Sequence, residues 1–118
     1  MPYARQARAA LFVFASLVAP AGLAQAACYD DGGCSDKSLF DPKYLNDPVG
    51  GPNCEFLYEM RGEIFAEHHY CFKTAKALAN WSNAGCVSSN TDTLGLNAFE
   101  RKNVDMIFAA EKGKGCAQ

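Results

Sequence analysis

The six cysteines of this chain all lie at or after position 28, directly behind a segment with the pattern of a secretory signal peptide. An even number of cysteines in a short exported chain is typical of a disulfide framework, which a core of this size needs for stability. Metal binding would require paired C-x2-C spacing or a Cys/His cluster. The gaps here are long and irregular apart from Cys28 and Cys34. The sequence therefore predicts disulfides, with no metal site and no cofactor.

Residues 1–26 have the three parts of a cleavable export signal. Arg5 and Arg8 form a basic head, residues 9–18 form an apolar core, and residues 24–26 (Ala-Gln-Ala) form a small-x-small cleavage site. The apolar core is shorter than the ~20 residues that span a bilayer. We therefore expect a periplasmic or secreted protein without stable membrane insertion, and an uncleaved membrane anchor is the alternative.

The cleavage motif also sets the start of the mature chain. A cut after Ala26 leaves Ala27 at the N-terminus, or Cys28 if the cut falls one residue later. A lipidated Cys28 would need a leucine-type residue three places earlier, where Gln25 stands. The sequence thus predicts an unlipidated chain that begins at Ala27 or Cys28.

The net charge of the mature chain argues against two classes of binding partner. Without Arg5 and Arg8 the chain has 9 basic residues against 13 acidic ones, a net charge of about −4. Nucleic-acid binding requires a basic face, and docking on anionic lipid requires clustered basic residues. We therefore expect neither nucleic acid nor an anionic membrane surface as a partner.

The mature chain divides into two zones. Residues 27–52 are rich in turn-forming Asp, Gly and Pro and carry little periodicity. This zone is predicted to be an irregular leader, closed by a short Cys28–Cys34 loop. Its apolar anchors on the following domain are expected to be Leu39, Phe40, Tyr44 and Leu45.

Residues 53–116 have the pattern of a helical domain. Asn53 is a suitable N-cap, and apolar residues at helical spacing predict a helix over residues 54–69. The apolar stripe consists of Leu57, Met60, Ile64 and His68. A second face carries Glu55, Glu59, Glu63 and Glu67. We interpret this second face as solvated, with a surface for a cation or a basic partner as the alternative.

Two further helices are predicted. The middle one runs from about Thr74, a usable cap, to Trp81. The last covers residues 98–112, opens with Asn97 and Glu100 in a near capping box, and has Gly113 available for a left-handed stop. The expected fold class is mainly α: a small disulfide-stapled domain of about three helices with an irregular N-terminal leader.

Six cysteines allow 15 pairings, and spacing alone does not choose among them. As a hypothesis, antiparallel packing of the helices over residues 54–69 and 98–112 brings the start of the first near the end of the last. Two further cysteines then flank the middle helix and can close a local loop. This arrangement pairs Cys54 with Cys116, Cys71 with Cys86, and Cys28 with Cys34.

Candidate catalytic residues are few. His68 and His69 are the histidines that could act as bases near neutral pH, and His68 lies on the apolar stripe, where a bond to backbone is the simpler interpretation. A Cys–His pair would need a free thiol, and Cys71 is expected to be oxidised. Glu67, His68 and His69 are sequence neighbours that do not share a helix face, which disfavours a metal site. We therefore predict no catalytic residue and no enzyme activity.

Two segments of the chain resemble one known family. Residues 61–72 (RGEIFAEHHYCF) resemble the signature of the YARHG domain family, a bacterial extracytoplasmic module: R-x-E-I, then Y-A-R-H-G, then an aromatic residue and a phenylalanine. Residues 96–104 (LNAFERKNV) resemble the family's L-S-x-x-E-x-x-N-[IV] segment. The resemblance covers residues 53–116.

The chain departs from this pattern inside the name motif. Ala66 and His68 match, whereas Phe65 replaces Tyr, Glu67 replaces Arg and His69 replaces Gly. A glycine at the end of a helix permits a left-handed backbone. His69 must therefore adopt that conformation or avoid it.

Arg61 lies in the first matched segment without an acid one turn away, since Leu57 and Phe65 occupy those positions. Its natural partner is Glu100 or another acid on the last helix. Alternatively, its planar guanidinium reaches a carboxylate or phosphate of a ligand. We therefore take Arg61, His68 and Glu100 as possible binding residues.

The resemblance implies an exported location and a binding role at the cell wall or on a protein. The sequence thus predicts a small non-catalytic domain that binds a cell-envelope component or an envelope protein partner. A purely structural envelope accessory protein and a small secreted inhibitor or effector are the alternatives. The oligomeric state stays open.

Overall fold

Helices dominate the structure, a computed structural model that describes residues 27–30 and 32–117. In chain order the elements are β1 (Cys28–Tyr29), β2 (Gly33–Cys34), α1 (Pro42–Asn46), α2 (Cys54–Glu67), α3 (Ala75–Asn80), a 3-10 turn (Thr91–Thr93) and α4 (Ala98–Gly113). None of the described helices is long and apolar enough to cross a membrane. The predicted fold class, a small disulfide-stapled and mainly α-helical domain, is confirmed. The signal segment predicted over residues 1–26 lies outside the described residues.

The core lies where α2 packs against α4. Three of the four residues predicted for the apolar stripe of α2 are fully buried: Leu57, Met60 and Ile64. The fourth, His68, follows the last residue of the helix, and its side chain is 25% exposed. Ile107 and Ala110 of α4 join the three buried residues in one cluster. Each large apolar side chain buried in this way contributes roughly 1.5–3 kcal/mol, so the α2–α4 contact is the main apolar contribution to stability.

Capping side chains fix where the helices begin. Asn53 accepts a hydrogen bond from Phe56 N at 2.9 Å, and Thr74 caps α3 in the same way. Asn97 and Glu100 form the capping box predicted for α4: each side chain accepts a hydrogen bond from the other's backbone N–H. A cap of this type stabilises a helix by about 1 kcal/mol.

The helix α4 ends in a Schellman turn, in which a left-handed residue reverses the chain. Cys116 N donates to Glu111 O at 2.9 Å, and Gly115 N donates to Lys112 O at 3.2 Å. Gly115 is the left-handed residue, with φ of 70°. The glycine expected to provide this stop, Gly113, is instead the last helical residue.

The helix α2 ends in the same turn, but without a glycine. Tyr70 N donates to Phe65 O and His69 N to Ala66 O, both at 3.1 Å. The rings of Phe65 and Tyr70 lie 5.4 Å apart, which supplies the apolar contact that often accompanies this motif. His69 takes the left-handed position with φ of 59°. The replacement of the family's glycine by His69 therefore leaves the turn intact and strains the backbone.

Replacing His69 by glycine is expected to raise the free energy of unfolding by about 0.5–1 kcal/mol. The left-handed conformation costs a non-glycine residue on the order of 1 kcal/mol, and the extra flexibility of an unfolded glycine offsets part of the gain. Chemical denaturation measures the difference. His69→Ala is the matched control, since it removes the imidazole and keeps the strain. An equal gain in both variants would place the cost in the imidazole and not in the backbone.

The leader contains more regular structure than its turn residues indicate. Its strands β1 and β2 form a small antiparallel hairpin, and α1 adds a fourth helix that packs on α4. Phe40 and Leu45 are buried as predicted. Leu39 was expected to be an anchor, but this is wrong, because its side chain is 44% exposed.

One buried side chain of α4 ties the leader to the domain. Asn103 accepts a hydrogen bond from Phe40 N and donates to Ser35 O and Ser38 O, each at 2.9 Å. Its amide therefore satisfies three backbone groups that have no strand or helix partner. Because a buried unpaired backbone group costs about 1–3 kcal/mol, this one residue specifies where residues 35–40 lie on α4.

Three disulfides close the fold, and they are the predicted pairs: Cys28–Cys34, Cys54–Cys116 and Cys71–Cys86. The Cys54–Cys116 bond joins the start of α2 to the end of α4, which confirms that these helices are antiparallel. Cys71–Cys86 brackets α3 and lies beside a bridge between Tyr70 and Ser88.

Candidate functional site

A groove of about 740 Å³ opens between α2 and α4. Its remaining walls come from residues 70–81, which include α3, and from residues 91–96. Four separate segments of the chain therefore meet around one opening. The disulfide Cys71–Cys86 and the buried α2–α4 contact hold these segments in place.

Aromatic rings line much of this groove. The ring of Trp81 stacks on that of Phe72 at 5.1 Å between centroids and lies 5.6 Å from that of Tyr58. Phe72 meets Tyr70 edge to face at 5.1 Å. We call Tyr58, Tyr70, Phe72 and Trp81 the aromatic wall. Ring contacts of this kind prefer fixed geometries, so the wall presents a preformed surface.

Trp81 is held in the wall from two sides. Its indole N–H donates to Glu63 Oε1 at 3.0 Å. Its ring covers the backbone of α2 at Gly62, where an added Cβ would lie 2.0 Å from the nearest ring carbon. A side chain larger than hydrogen at position 62 is therefore incompatible with the present place of Trp81.

Arg61 lies at the α2–α4 edge of the groove between two rings. Its guanidinium carbon is 4.4 Å from the centroid of Phe108 and 5.2 Å from that of Tyr58. Its Nε and Nη2 donate to the two oxygens of Glu111 at 2.8 and 3.0 Å. The arginine side chain is 16% exposed and the glutamate side chain 1%. Arg61 thus forms a bidentate, largely buried ion pair across the helix interface.

Arg61 was predicted to pair with Glu100 or with another acid on the last helix, and the second of these options is confirmed. The structure gives Arg61 the other acid that the prediction allowed, one on the last helix, which is Glu111. Glu100 instead accepts a hydrogen bond from His68 Nε2 at 2.7 Å and caps Asn97 through its second oxygen. The side chain of His68 was expected to bond to a backbone group. This was wrong, because its imidazole bonds to the carboxylate of Glu100.

The three possible binding residues therefore do not form one site. Arg61 lines the groove, whereas His68 and Glu100 meet at the far end of the helix pair, where α2 ends and α4 begins. The aromatic wall was missed because its members come from separate segments. The one available signal was the family pattern itself, whose aromatic residue and phenylalanine correspond to Tyr70 and Phe72.

Charged side chains stand at the mouth of the groove. Lys73 is exposed. Arg101 donates through Nε to Leu96 O at 3.2 Å and holds only a long contact of 4.0 Å with Asp92. Asp105 lies on the same face of α4 and also lines the groove. The groove is thus lined by positive and negative side chains together with the aromatic wall.

The glutamates of α2 are only in part a solvated face. Glu55 and Glu59 are exposed, and Glu55 pairs with Lys76 at 3.1 Å. Glu63 and Glu67 are half-buried acceptors, of Trp81 and of the backbone N–H of Ala27 respectively. Among residues 27–30 and 32–117, no group of acidic, histidine and cysteine side chains is arranged to hold a metal ion.

The chemistry of the groove suits recognition. Its lining combines the partly exposed rings of Tyr58, Tyr70 and Trp81 with Tyr and Thr hydroxyls, Lys73 and Arg101, which can form hydrogen bonds. The cysteine thiols are all engaged in disulfides, and His68 is bonded to a buried carboxylate away from the groove. Such an arrangement can hold a ligand by contact and hydrogen bonding.

In the comparison with protein families, the family described as YARHG domain matches residues 36–112, more than half of the chain. The match begins inside the leader, earlier than the resemblance over residues 53–116, and it includes α1, the whole groove and α4 to within one residue of its end. Comparison with curated proteins and with solved structures gives no significant match.

Proposed function

This chain belongs to the YARHG domain family, an extracytoplasmic module, and from that premise we propose that it is an exported, non-catalytic binding module. Three disulfides suit an oxidising compartment. The signal pattern of residues 1–26 supports delivery to the periplasm or the medium. Its ligand, in this proposal, is a component of the cell envelope or an envelope protein.

The aromatic wall is the observation that carries this proposal. Trp81 is held by Glu63 and by stacking on the buried Phe72, and the partly exposed rings of Tyr58, Tyr70 and Trp81 line the groove, where a ligand can contact them. Sugar rings and apolar side chains both stack on such surfaces. Lys73, Arg101, Asp92 and Asp105 at the mouth match a ligand that carries carboxylates and amines.

Peptidoglycan fits this chemistry best among envelope components, because it combines sugar rings with peptides that carry both charges. A purely structural accessory protein would not need an open groove with rings held in place. A secreted inhibitor or effector would use the same groove on a protein, and binding to purified wall material separates these alternatives.

Soluble peptidoglycan fragments are expected to change the fluorescence of Trp81, the single tryptophan of the chain. The indole forms part of the wall, so a ligand that stacks there alters its surroundings directly. Titration of the fragments into the purified protein gives the affinity, and co-sedimentation with purified sacculi gives an independent measure.

Phe108→Ala is expected to weaken this binding about tenfold, because the ring borders the groove and holds Arg61 at its edge. Phe99→Ala is the matched control. Phe99 lies on the same helix with similar exposure, 43% against 37%, and outside the groove lining. Circular dichroism confirms that both variants fold. Equal binding by the two variants, or no binding of wall fragments by the parent, would reject wall recognition through this groove.

A further inference from the structure

The first described residue makes a specific contact with the end of α2. Ala27 N donates to Glu67 Oε1 at 2.8 Å. Ala27 O accepts a hydrogen bond from Ser35 N at 3.0 Å, and the next residue, Cys28, is paired with Cys34 in the hairpin and in the disulfide. Within the described part of the chain, the contacts that position this nitrogen come from Glu67, Ser35 and the Cys28–Cys34 hairpin.

The same nitrogen is the atom that signal cleavage would change. The Ala-Gln-Ala motif at residues 24–26 places the scissile bond between Ala26 and Ala27. Hydrolysis of that bond gives Ala26 a carboxylate and converts the amide nitrogen of Ala27 into a free amine, which carries a positive charge at neutral pH.

Among the residues that the structure describes, no lysine or arginine acts on the carboxyl of Glu67. Glu67 is the last residue of α2, where the helix dipole disfavours a carboxylate, and the last turn holds no basic residue. Burial raises the pKa of the Glu67 carboxyl; the N–H of Ala27 and His68 lower it, whereas Glu100 and Glu63 raise it. A positive charge at this point would offset the dipole and the neighbouring acids.

Tyr29 on β1, two residues after Ala27, is affected by some of the same acidic side chains. Burial raises the pKa of Tyr29 to about 12, and Glu63, Glu67 and Glu59 contribute to the rise. The carboxylate that contacts Ala27 N is that of Glu67. The charged groups that act on Glu67 are Glu63, His68 and Glu100, and those that act on Tyr29 are Glu63, Glu67 and Glu59.

We propose that the α-ammonium group created by cleavage before Ala27 forms an ion pair with Glu67, so that processing of the precursor completes this charge site. In the uncleaved chain the same nitrogen is an uncharged amide N–H. A chain cut one residue later, at Cys28, would leave Glu67 without this partner. The ion pair therefore requires Ala27, and not Cys28, as the mature N-terminus.

The inference rests on the proposed export. Two separate measurements distinguish a failure of the proposed processing from a failure of the proposed ion pair. Intact mass of the protein exported from its full precursor shows where the natural cut falls, and a first residue other than Ala27 contradicts the processing step. A fusion cleaved in vitro directly before Ala27 gives the same N-terminus without export, and it tests the ion pair alone.

The α-amine of the chain that begins at Ala27 is expected to titrate about one unit above the usual 7.7–8.0. NMR of the protein labelled at Ala27 follows this titration. Glu67→Gln should return it to the usual range. Glu59→Gln, an exposed acid on the same helix, should leave it raised. An ordinary value in the parent, or equal values in the parent and Glu67→Gln, would overturn the ion pair.

A chain extended by one glycine before Ala27 provides a second readout that leaves Glu67 intact. The amine pKa is raised on folding, so its stabilising effect is complete below the unfolded value, near pH 7.7, and disappears as pH rises through the folded value. The parent should therefore be more stable than the extended chain at pH 7, with the difference vanishing by about pH 10. A difference that does not change with pH would also overturn the proposal.

Discussion

Replacing Cys54 and Cys116 together by alanine is expected to lower the free energy of unfolding by about 4 kcal/mol. This disulfide closes a loop of 62 residues, and the loss of chain entropy in the unfolded state grows with the logarithm of loop length. A small domain has only about 5–15 kcal/mol of net stability. The variant should therefore unfold at much lower denaturant concentration, which chemical denaturation monitored by circular dichroism measures.

The other two disulfides serve as matched controls in the same chain. Cys71–Cys86 spans 15 residues and Cys28–Cys34 only 6, so their removal should cost about 3 and about 2 kcal/mol. The order of the three losses is the decisive result. If the hairpin disulfide proved as costly to remove as Cys54–Cys116, unfolded-state entropy would not be the main effect of these bonds.

Local rules were sufficient to predict α2, α3 and α4. The caps Asn53, Thr74 and Asn97 each act on the first turn of their own helix, so their effect depends on residues three positions away. For His69 the sequence left open whether the left-handed conformation is adopted, and the structure shows that it is. The short elements of the leader were missed because α1 has five residues and each strand two, which is too short for a periodic pattern.

The partner of Arg61 depends on helix register, which local rules do not give. The predicted Cys54–Cys116 disulfide nevertheless implies how α2 and α4 are aligned along their lengths. Arg61 lies seven residues after Cys54, and Glu111 lies five residues before Cys116, so antiparallel helices joined at those cysteines bring the two side chains to the same level. Glu100 lies far along α4, opposite His68, where the structure places it.

Neither the local helix rules nor the disulfide hypothesis predicted the groove. Its aromatic wall combines Tyr58 of α2 with Tyr70, Phe72 and Trp81, and their positions depend on how residues 70–88 fold back on the helix pair. Gly62 shows what the sequence alone does not reveal. In the sequence it is a helix-weakening residue in a helical stretch, and only the place of Trp81 explains why a side chain is excluded there.

Arg61→Ala is expected to lower the free energy of unfolding by about 3–5 kcal/mol, because it leaves the carboxylate of Glu111 buried without its cation. Arg61→Lys keeps the charge and should cost roughly 2 kcal/mol, since it loses the second hydrogen bond and the planar contact with Phe108. Denaturant unfolding of the two variants measures both losses.

Lys76→Ala is the control for the loss of a cation from an ion pair. Lys76 and Glu55 are both more than half exposed, and exposed pairs contribute only ~0–1 kcal/mol. The Arg61→Lys result then separates two roles for a conspicuous arginine of the family signature. A structural ion pair requires lower stability in Arg61→Lys, with weaker wall binding only to the extent that the groove edge moves. Unchanged stability with weaker binding would instead make Arg61 a ligand contact, and the bidentate bond to Glu111 would then be a resting position that the ligand displaces.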